Sequence, residues 1–478
     1  MFEQNDENKK VRYDTKITEE LIHKEMMPEI LKNFSYISGT RQIVRWKLNY
    51  WLPVDADELV GLIARDARAF CLFQNEGREL ELTEEKVLMR YLNYLVGKSG
   101  SVGSFFAKIT PISSKRKYLA FADGETMFDT AKFESFHKGH LGNWHLTCFN
   151  RLNFKYDKEA KCPRFIKFLD QIMCGDKKLV EYLCNYLAYA VLSPHCDYEK
   201  FAVFHGASAR NGKSTLIEVM HNLVGEGNYI TKQPAALGER FGLSGCQTVQ
   251  LITCAEVSDR KIDTSIIKSI TSGESVMLEE KCKTPVNIKI TGKMIFACNE
   301  APKFMNDAGL ENRVLVFPFN LHLEEKDRDP NLIKDLLSEL PGIFNLLVDH
   351  AKKLTPNSFS SVPYSMVKAK GEMLYSECPS SLFAEEYLDV VSDRGKYLTR
   401  NAIYREFTNY CRDEGIADYK IPTQQKFWNV VIPRLKYKAK EVGDEQYKYF
   451  SNRDCIRHHR ATINGKQERI IDYLQFLY

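Results

Sequence analysis

The run FHGASARNGKSTLIEVM, residues 204–220, carries the residue types best suited to chemistry in this chain. An apolar stretch ends at Phe204, small residues follow, and Gly212-Lys213-Ser214 opens an amphipathic segment. A strand, a small-residue loop and a helix in that order cradle a phosphate, because backbone N–H groups can approach the anion closely. The helix start adds the positive end of its dipole. Gly206, Ala207, Ser208, Ala209, Arg210, Asn211, Gly212, Lys213, Ser214 and Thr215 are the expected nucleotide-binding residues. Lys213 is placed to reach the β- and γ-phosphates, and Ser214 to hold Mg²⁺ through its hydroxyl. ATP and Mg²⁺ are therefore the expected cofactors. The pattern GxxxxGK[ST] asks for glycine at position 207; this chain has Ala207 there, with Gly206 one place early.

The elements that must hold such a loop can be read around it. FAVFHG, TVQLITCAE and GKMIFACNE are short apolar runs ending at polar turns, the pattern of central strands in a parallel sheet. Helical stretches lie between them: Ser214–Leu223 closed by Gly225, and Ser265–Thr271 closed by Gly273. Upstream, Leu21, Ile22, Met26 and Met27, then Leu59, Leu62, Ile63 and Ala67, recur at helix spacing. Pro163–Leu192 is a second helical region broken at Gly175, with Pro163 at a first helical position. Helices return after Phe319, and a Ser/Pro-rich break, TPNSFSSVP, opens the last region. The expectation is a multidomain α/β chain: an N-terminal helical domain (1–110), a helical collar-like domain (111–196), a P-loop core with a central parallel sheet (197–355) and a winged-helix-like basic domain (356–478).

Three further segments carry a resemblance. LITCAEVSDRKIDTSIIKSITSGES, with its Lys268-x-x-Thr271-x-Gly273, looks like the second acidic strand of the superfamily 3 (AAA+) helicases. GKMIFACNEAPKF resembles that family's sensor strand, and ENRVLVFPF its arginine-finger segment. Order and spacing fit from Pro163 to Leu354, and ELPGIFNLLVDHAKKL is similar to the phage, mobile-element and poxvirus primase-helicase branch. The resemblance implies roles. Glu256 would face Mg²⁺ and the attacking water, Asn299 would donate to the γ-phosphate, and Arg313 would enter the site of an adjacent subunit. Lys213, Glu256, Asn299 and Arg313 are thus the expected catalytic set, with Ser214 and Glu256 on the metal. The usual acidic pair is here Ala255-Glu256, so whether Glu256 orders the metal water, polarises the nucleophile or does both stays open. A finger acting in trans makes a homo-oligomeric ring the active form, by family precedent a hexamer.

Nucleic-acid contacts are expected at two places. Val286, Ile288 and Ile290 alternate with Asn287, Lys289 and Thr291, which suggests a hairpin. In the resembling family that hairpin enters the ring channel, and Lys281 and Lys283 fall near its basic positions. Such contacts to the phosphate backbone carry no sequence information and weaken with salt. Lys268 would contact the γ-phosphate or the neighbouring subunit, or else simply solvate its helix. Between Lys420 and Arg469, Lys and Arg outnumber Asp and Glu by about two to one. Two helical patterns followed by basic short strands suggest a winged helix with Lys426, Arg434, Lys436 and Lys438 on DNA; a basic protein-interaction domain competes. His137, His140, His145 and Cys148 sit too close together to close a zinc site, and none is expected.

Composition sets the frame. With 478 residues, 44% hydrophobic and 27% charged, the chain is that of a folded protein and not a disordered one. No apolar run approaches the ~20 residues of a membrane span, no secretory signal is visible, and thirteen cysteines without a CxxC pair suit a reducing compartment. The expected setting is a cytoplasm, that of a bacterial host if the chain is encoded by a phage or mobile element. The N-terminal segment offers no paired metal-binding aspartates, so a primase or initiator is expected on another chain. Together these readings point to an ATP-dependent replicative helicase acting 3′ to 5′ on single-stranded or forked DNA. An origin-binding initiator, or a packaging or remodelling ATPase, are the competing classes.

Overall fold

The computed structural model describes residues 18–37, 42–74, 80–96, 110–112, 118–137, 148–149, 151–206, 210–257, 262–281, 284–299, 308–322, 329–375, 379–390, 397–441, 458–463, 466–472 and 474–476. Its centre is a sheet of five strands: β1 (Phe201–His205), β2 (Tyr229–Thr231), β3 (Leu251–Cys254), β4 (Lys293–Cys298) and β5 (Val314–Pro318). They pair in parallel throughout, in the spatial order β5-β1-β4-β3-β2. Every residue of β3, β4 and β5 is buried. Strands covered on both faces need apolar side chains at successive positions, which is why they read as unbroken runs.

The sheet therefore has two cores. Ala202 and Phe204 of β1 face one, with Leu216 and Leu223 from α3 (Lys213–Val224). Phe165 of α1 (Pro163–Ile172), Leu187 of α2 (Lys177–Leu192) and Phe344 of α5 (Leu340–Ala351) complete it. Phe201 and Val203 face the other, with Ile267 of α4 (Thr264–Thr271) and the paired strands Ser275–Leu278 and Val286–Lys289. Gly175 (φ 79°) breaks α1 from α2 as expected, and the Asp176 carboxylate caps α2 by accepting the N–H groups of Lys178 and Leu179 at 3.1 Å. Tyr186 of α2 stitches the sheet: its buried hydroxyl donates to Met294 O at 2.7 Å and accepts from Ala202 N at 3.1 Å.

Two strands exceed the three legible in the sequence. β2 has three partly exposed residues at one edge, too few for an apolar signal. β5 lies at the opposite edge, where its terminal Pro318 removes no needed donor. The helical expectation for 1–110 is corrected. Helices Ala56–Gln74 and Leu82–Val96 are present, but Phe34–Ile37, Ile43–Lys47, Tyr50–Pro53 and Thr110–Ile112 form a four-stranded sheet. Neighbouring Phe34 and Ser35, and Ile43 and Val44, are buried together, so the period-2 alternation that marks a strand is absent. Before α1 the helical expectation is also corrected among the described residues: Tyr118–Ala120, Thr126–Asp129 and Glu134–His137 form an antiparallel sheet. Its first turn closes where the Asp123 carboxylate accepts N–H groups of Glu125 and Thr126.

Beyond the core, α6 (Tyr364–Tyr375) packs on β5, with Met366 and Ala369 buried in the two cores. Phe359 packs against the rings of Tyr182 and Tyr198. The C-terminal region then runs helix Pro379–Tyr387, strand Tyr397–Thr399, helix Arg400–Asp413 and helix Gln424–Glu441. Next comes the hairpin His458–Ile463 with Lys466–Asp472, the latter pairing with Tyr397–Thr399, and a last strand, Leu474–Phe476, pairs with Leu388–Val390. Among the described residues no helix is long and apolar enough to cross a membrane.

Tyr186→Phe keeps the packing and strands the Met294 carbonyl and the Ala202 amide without their partner. It should destabilise the fold by about 1–3 kcal/mol in chemical denaturation.

Candidate nucleotide site and hairpin

In a parallel sheet a crevice forms at the carboxyl ends of the strands, where connections part to opposite faces. Because β4 lies between β1 and β3, the ends of three strands meet there: Gly206 follows β1, Glu256 follows β3 and Asn299 follows β4. Val257 N donates to Ala297 O at 2.9 Å, which carries the β3–β4 pairing up to the Glu256 turn. Both Glu256 and Asn299 are exposed at this edge. The Glu256 carbonyl is fixed by Gln233 Nε2 at 2.8 Å and Cys254 Sγ at 3.2 Å, leaving the carboxylate to project from a held backbone.

The candidate phosphate loop enters from β1. Ala207, Ser208 and Ala209 lie outside the described residues. On either side of them the backbone is constrained. A Cβ on Gly206 would stand 2.4 Å from Phe319 O and 2.5 Å from Asn211 Nδ2, so only glycine fits. This is the physical reason a glycine is needed at position 206, one place before the standard pattern. Arg210 (φ 67°) and Gly212 (φ 90°) adopt left-handed backbone; for a non-glycine this costs on the order of 1 kcal/mol. The Asn211 side chain is buried and donates to Phe319 O at 3.0 Å, so it anchors the loop to the end of β5. Ser214 and Thr215 stand on the first turn of α3, Ser214 exposed.

Lys213 is buried, 6% exposed, and its Nζ donates to Gly206 O at 2.8 Å. Burial is the larger cause that holds its ammonium below the ordinary lysine value, partly opposed by nearby Cys298. A desolvated cation that rests, among the described residues, on one backbone carbonyl at a helix N-terminus fits an anion well, and the exposed Ser214 hydroxyl and Glu256 carboxylate on the same edge suit a hard divalent cation. His205, which the sequence reading passed over, sits beside the loop. Its burial first, and the Lys213 charge second, hold its pKa below the ordinary histidine value.

Arg313 is elsewhere. It precedes β5, which runs in register with β1 from Val314↔Phe201 to Pro318↔His205. It is therefore separated from its own phosphate loop by the length of a five-residue strand, about 16 Å. One copy of the chain brings Lys213, Glu256 and Asn299 to one edge and places Arg313 at the other.

The expected hairpin is present. Ser275–Leu278 pairs with Val286–Lys289 in antiparallel register, Val276↔Ile288 and Leu278↔Val286. Val276, Leu278 and Ile288 are buried in the second core, while Ser275, Met277, Asn287 and Lys289 are exposed. Lys281 lies exposed in the connecting turn; Lys283 is outside the described residues. Glu279 meets Arg240 at 3.2 Å and Glu280 accepts from Gln247 at 3.2 Å, so the turn is tied to the loop before β3. In the C-terminal region Lys426 is exposed on the first turn of helix Gln424–Glu441. Arg434, Lys436 and Lys438 are on the same helix, their side chains outside the described residues, as are His140 and His145.

The family of unknown function DUF5906 matches residues 204–313, which span this loop, the acidic strand, the hairpin and the arginine. The chain is 27% identical over 185 residues to "Putative helicase L207/L206" of Acanthamoeba polyphaga mimivirus, covering 35% of this chain and 18% of that protein. It is 24% identical over 249 residues to "Putative helicase 184R" of Invertebrate iridescent virus 6, covering 47% and 25%. The matches thus take in 18% and 25% of these relatives' own lengths. Among solved structures, the apo C-terminal region of NrS-1 in its A form gives a TM-score of 0.48 at 12% identity, covering 96% of this chain and all of that one. A second apo structure of that region gives 0.46 at 14% identity, covering 92% and 95%.

His221, on the last turn of α3, stacks on Tyr229 at 3.8 Å and hydrogen-bonds Thr253 Oγ1 at 2.8 Å, tying the loop's helix to β2 and β3. Burial pushes its pKa down to about 4. Between its ordinary value near 6.5 and about 4, the unfolded chain takes up a proton that the folded chain refuses. Stability should therefore fall on acidification through that window and level off below it; His221→Phe should flatten this part of the profile in urea titrations.

Proposed function

We propose that the chain is an ATP-driven helicase subunit whose nucleotide is hydrolysed at the junction of two copies. The observation that carries this reading is the division of the sheet: Lys213, Glu256 and Asn299 at the carboxyl edge, Arg313 at the amino edge. A face-to-face contact between the two edges of successive copies would complete each site, and such a heterologous contact gives a ring where its rotation closes. Magnesium-bound ATP would supply the transferable phosphoryl group and the metal's charge. Lys213 Nζ would leave Gly206 O for phosphate oxygens, and Ser214 with Glu256 would hold the cation. Glu256 would also orient water, Asn299 would donate to the γ-phosphate, and the neighbour's Arg313 would neutralise charge as the bond breaks.

Similarity to two viral proteins named as helicases supports nucleic acid as the substrate. The hairpin supports a moving part: one face is buried in the core, and its turn presents Lys281 to solvent. A hexameric ring, 3′-to-5′ movement on forked DNA, a replicative role for a virus or mobile element in its host's cytoplasm and a separate primase or initiator complete the proposal. The helix–strand–helix–helix–hairpin order of the C-terminal region supports a winged-helix reading. The same order favours a second function, an origin-binding initiator whose ATPase governs assembly.

The test is strand displacement on a forked duplex with ATP. Lys213→Ala should abolish both ATPase and unwinding. Arg313→Ala should lower ATPase about a thousandfold while nucleotide binding persists. ATP turnover without any strand separation would refute the helicase and leave the initiator. Lys281→Ala should weaken single-strand binding uniformly across sequences and reduce the salt slope by about 1.

A further inference from the structure

Three elements close on the Arg313 guanidinium. Nη2 donates to Ser272 Oγ at 2.7 Å and lies 3.1 Å from Glu199 Oε2, and Nη1 donates to Gly309 O at 3.0 Å. Nε is buried with no acceptor among the described residues. The surroundings thus satisfy part of a five-donor fork and leave the rest unmatched, as in a temporary place and not a final one.

The acceptors are themselves held. Glu199 takes left-handed backbone (φ 51°) with its N–H on Cys196 O at 3.1 Å. The next residue, Lys200, donates through Nζ to Asn312 O, the carbonyl just before Arg313. The lead-ins to β1 and β5 are therefore clasped together. Ser272 follows the last turn of α4, its N–H on Lys268 O at 2.9 Å. The Glu199 side chain is 52% exposed, so its pull on Arg313 is screened and modest. A triphosphate carries several charges and offers more acceptors, and it would outcompete such a pair.

We propose that Glu199 and Ser272 form a resting seat for Arg313, from which a neighbouring copy's nucleotide must draw it. This rests on reading Arg313 as a residue that acts on another copy's site. In the free chain the seat keeps the guanidinium folded onto its own subunit; on assembly the seat empties as the neighbouring site fills. Glu199 and Ser272 are positioning residues that touch neither nucleotide nor metal.

The experiment is ATPase activity of the full chain against protein concentration for the wild type, Glu199→Gln, Ser272→Ala and Arg313→Ala. With the seat weakened, Glu199→Gln and Ser272→Ala should reach half-maximal specific activity at about threefold lower protein concentration, with the plateau unchanged. Raised salt should shrink the Glu199→Gln difference. A midpoint that stays put or rises in both variants overturns the seat. Arg313→Ala separates the two levels. If it keeps full concentration-dependent activity, the trans-acting arginine itself has failed. If it is inactive throughout while the seat variants do not shift, only the seat has.

Discussion

Hydrogen bonding of β4 between β1 and β3 is the constraint on which the rest depends. A sheet whose strands followed chain order would leave the phosphate loop at one side and the Asn299 strand three places away. Inserting β4 next to β1 brings the loop, Glu256 and Asn299 to neighbouring strand ends, and the parallel direction points all three the same way. The same direction sends Arg313 to the far edge. Within one copy, the amino-edge arginine and the carboxyl-edge groups stand a strand's length apart.

Burying a parallel sheet on both sides also dictates what surrounds it. One face is covered by long helices, where Tyr186, Phe204, Phe317 and Phe344 fill the larger core. The other is covered by α4 and by the apolar side of the hairpin through Val276, Leu278 and Ile288. The hairpin is thus part of the core at its base and free to carry charge at its turn. Its two faces answer to two different demands, which is why its sequence alternates.

Legibility in the sequence followed burial pattern. β1, β3 and β4 were readable because each is an unbroken apolar run stopped by a polar turn, and α3 and α4 because glycines 225 and 273 close them in left-handed backbone. The N-terminal strands were not, since adjacent buried residues such as Ile43 and Val44 erase the alternation that separates strand from helix. Within the candidate site, Lys213 could be named from its strand–loop–helix pattern, and Glu256, Asn299 and Arg313 through a family resemblance. Their relations could not: Asn211 anchoring on Phe319 O, His205 beside the loop, and Glu199 and Ser272 on Arg313 join residues distant in sequence. Nothing local in the chain marks them.

The helix Tyr364–Tyr375 touches β5 on one side and helix Gln424–Glu441 on the other. It is a strut between the strand led by Arg313 and the helix that bears Lys426. In the sequence the next helix, Pro379–Tyr387, begins four residues after its last residue, Tyr375. A tail that grips a heavy object would then pull on β5 as a lever pulls on its fulcrum. Mechanical load at the far end of the protein would be felt where the arginine is mounted.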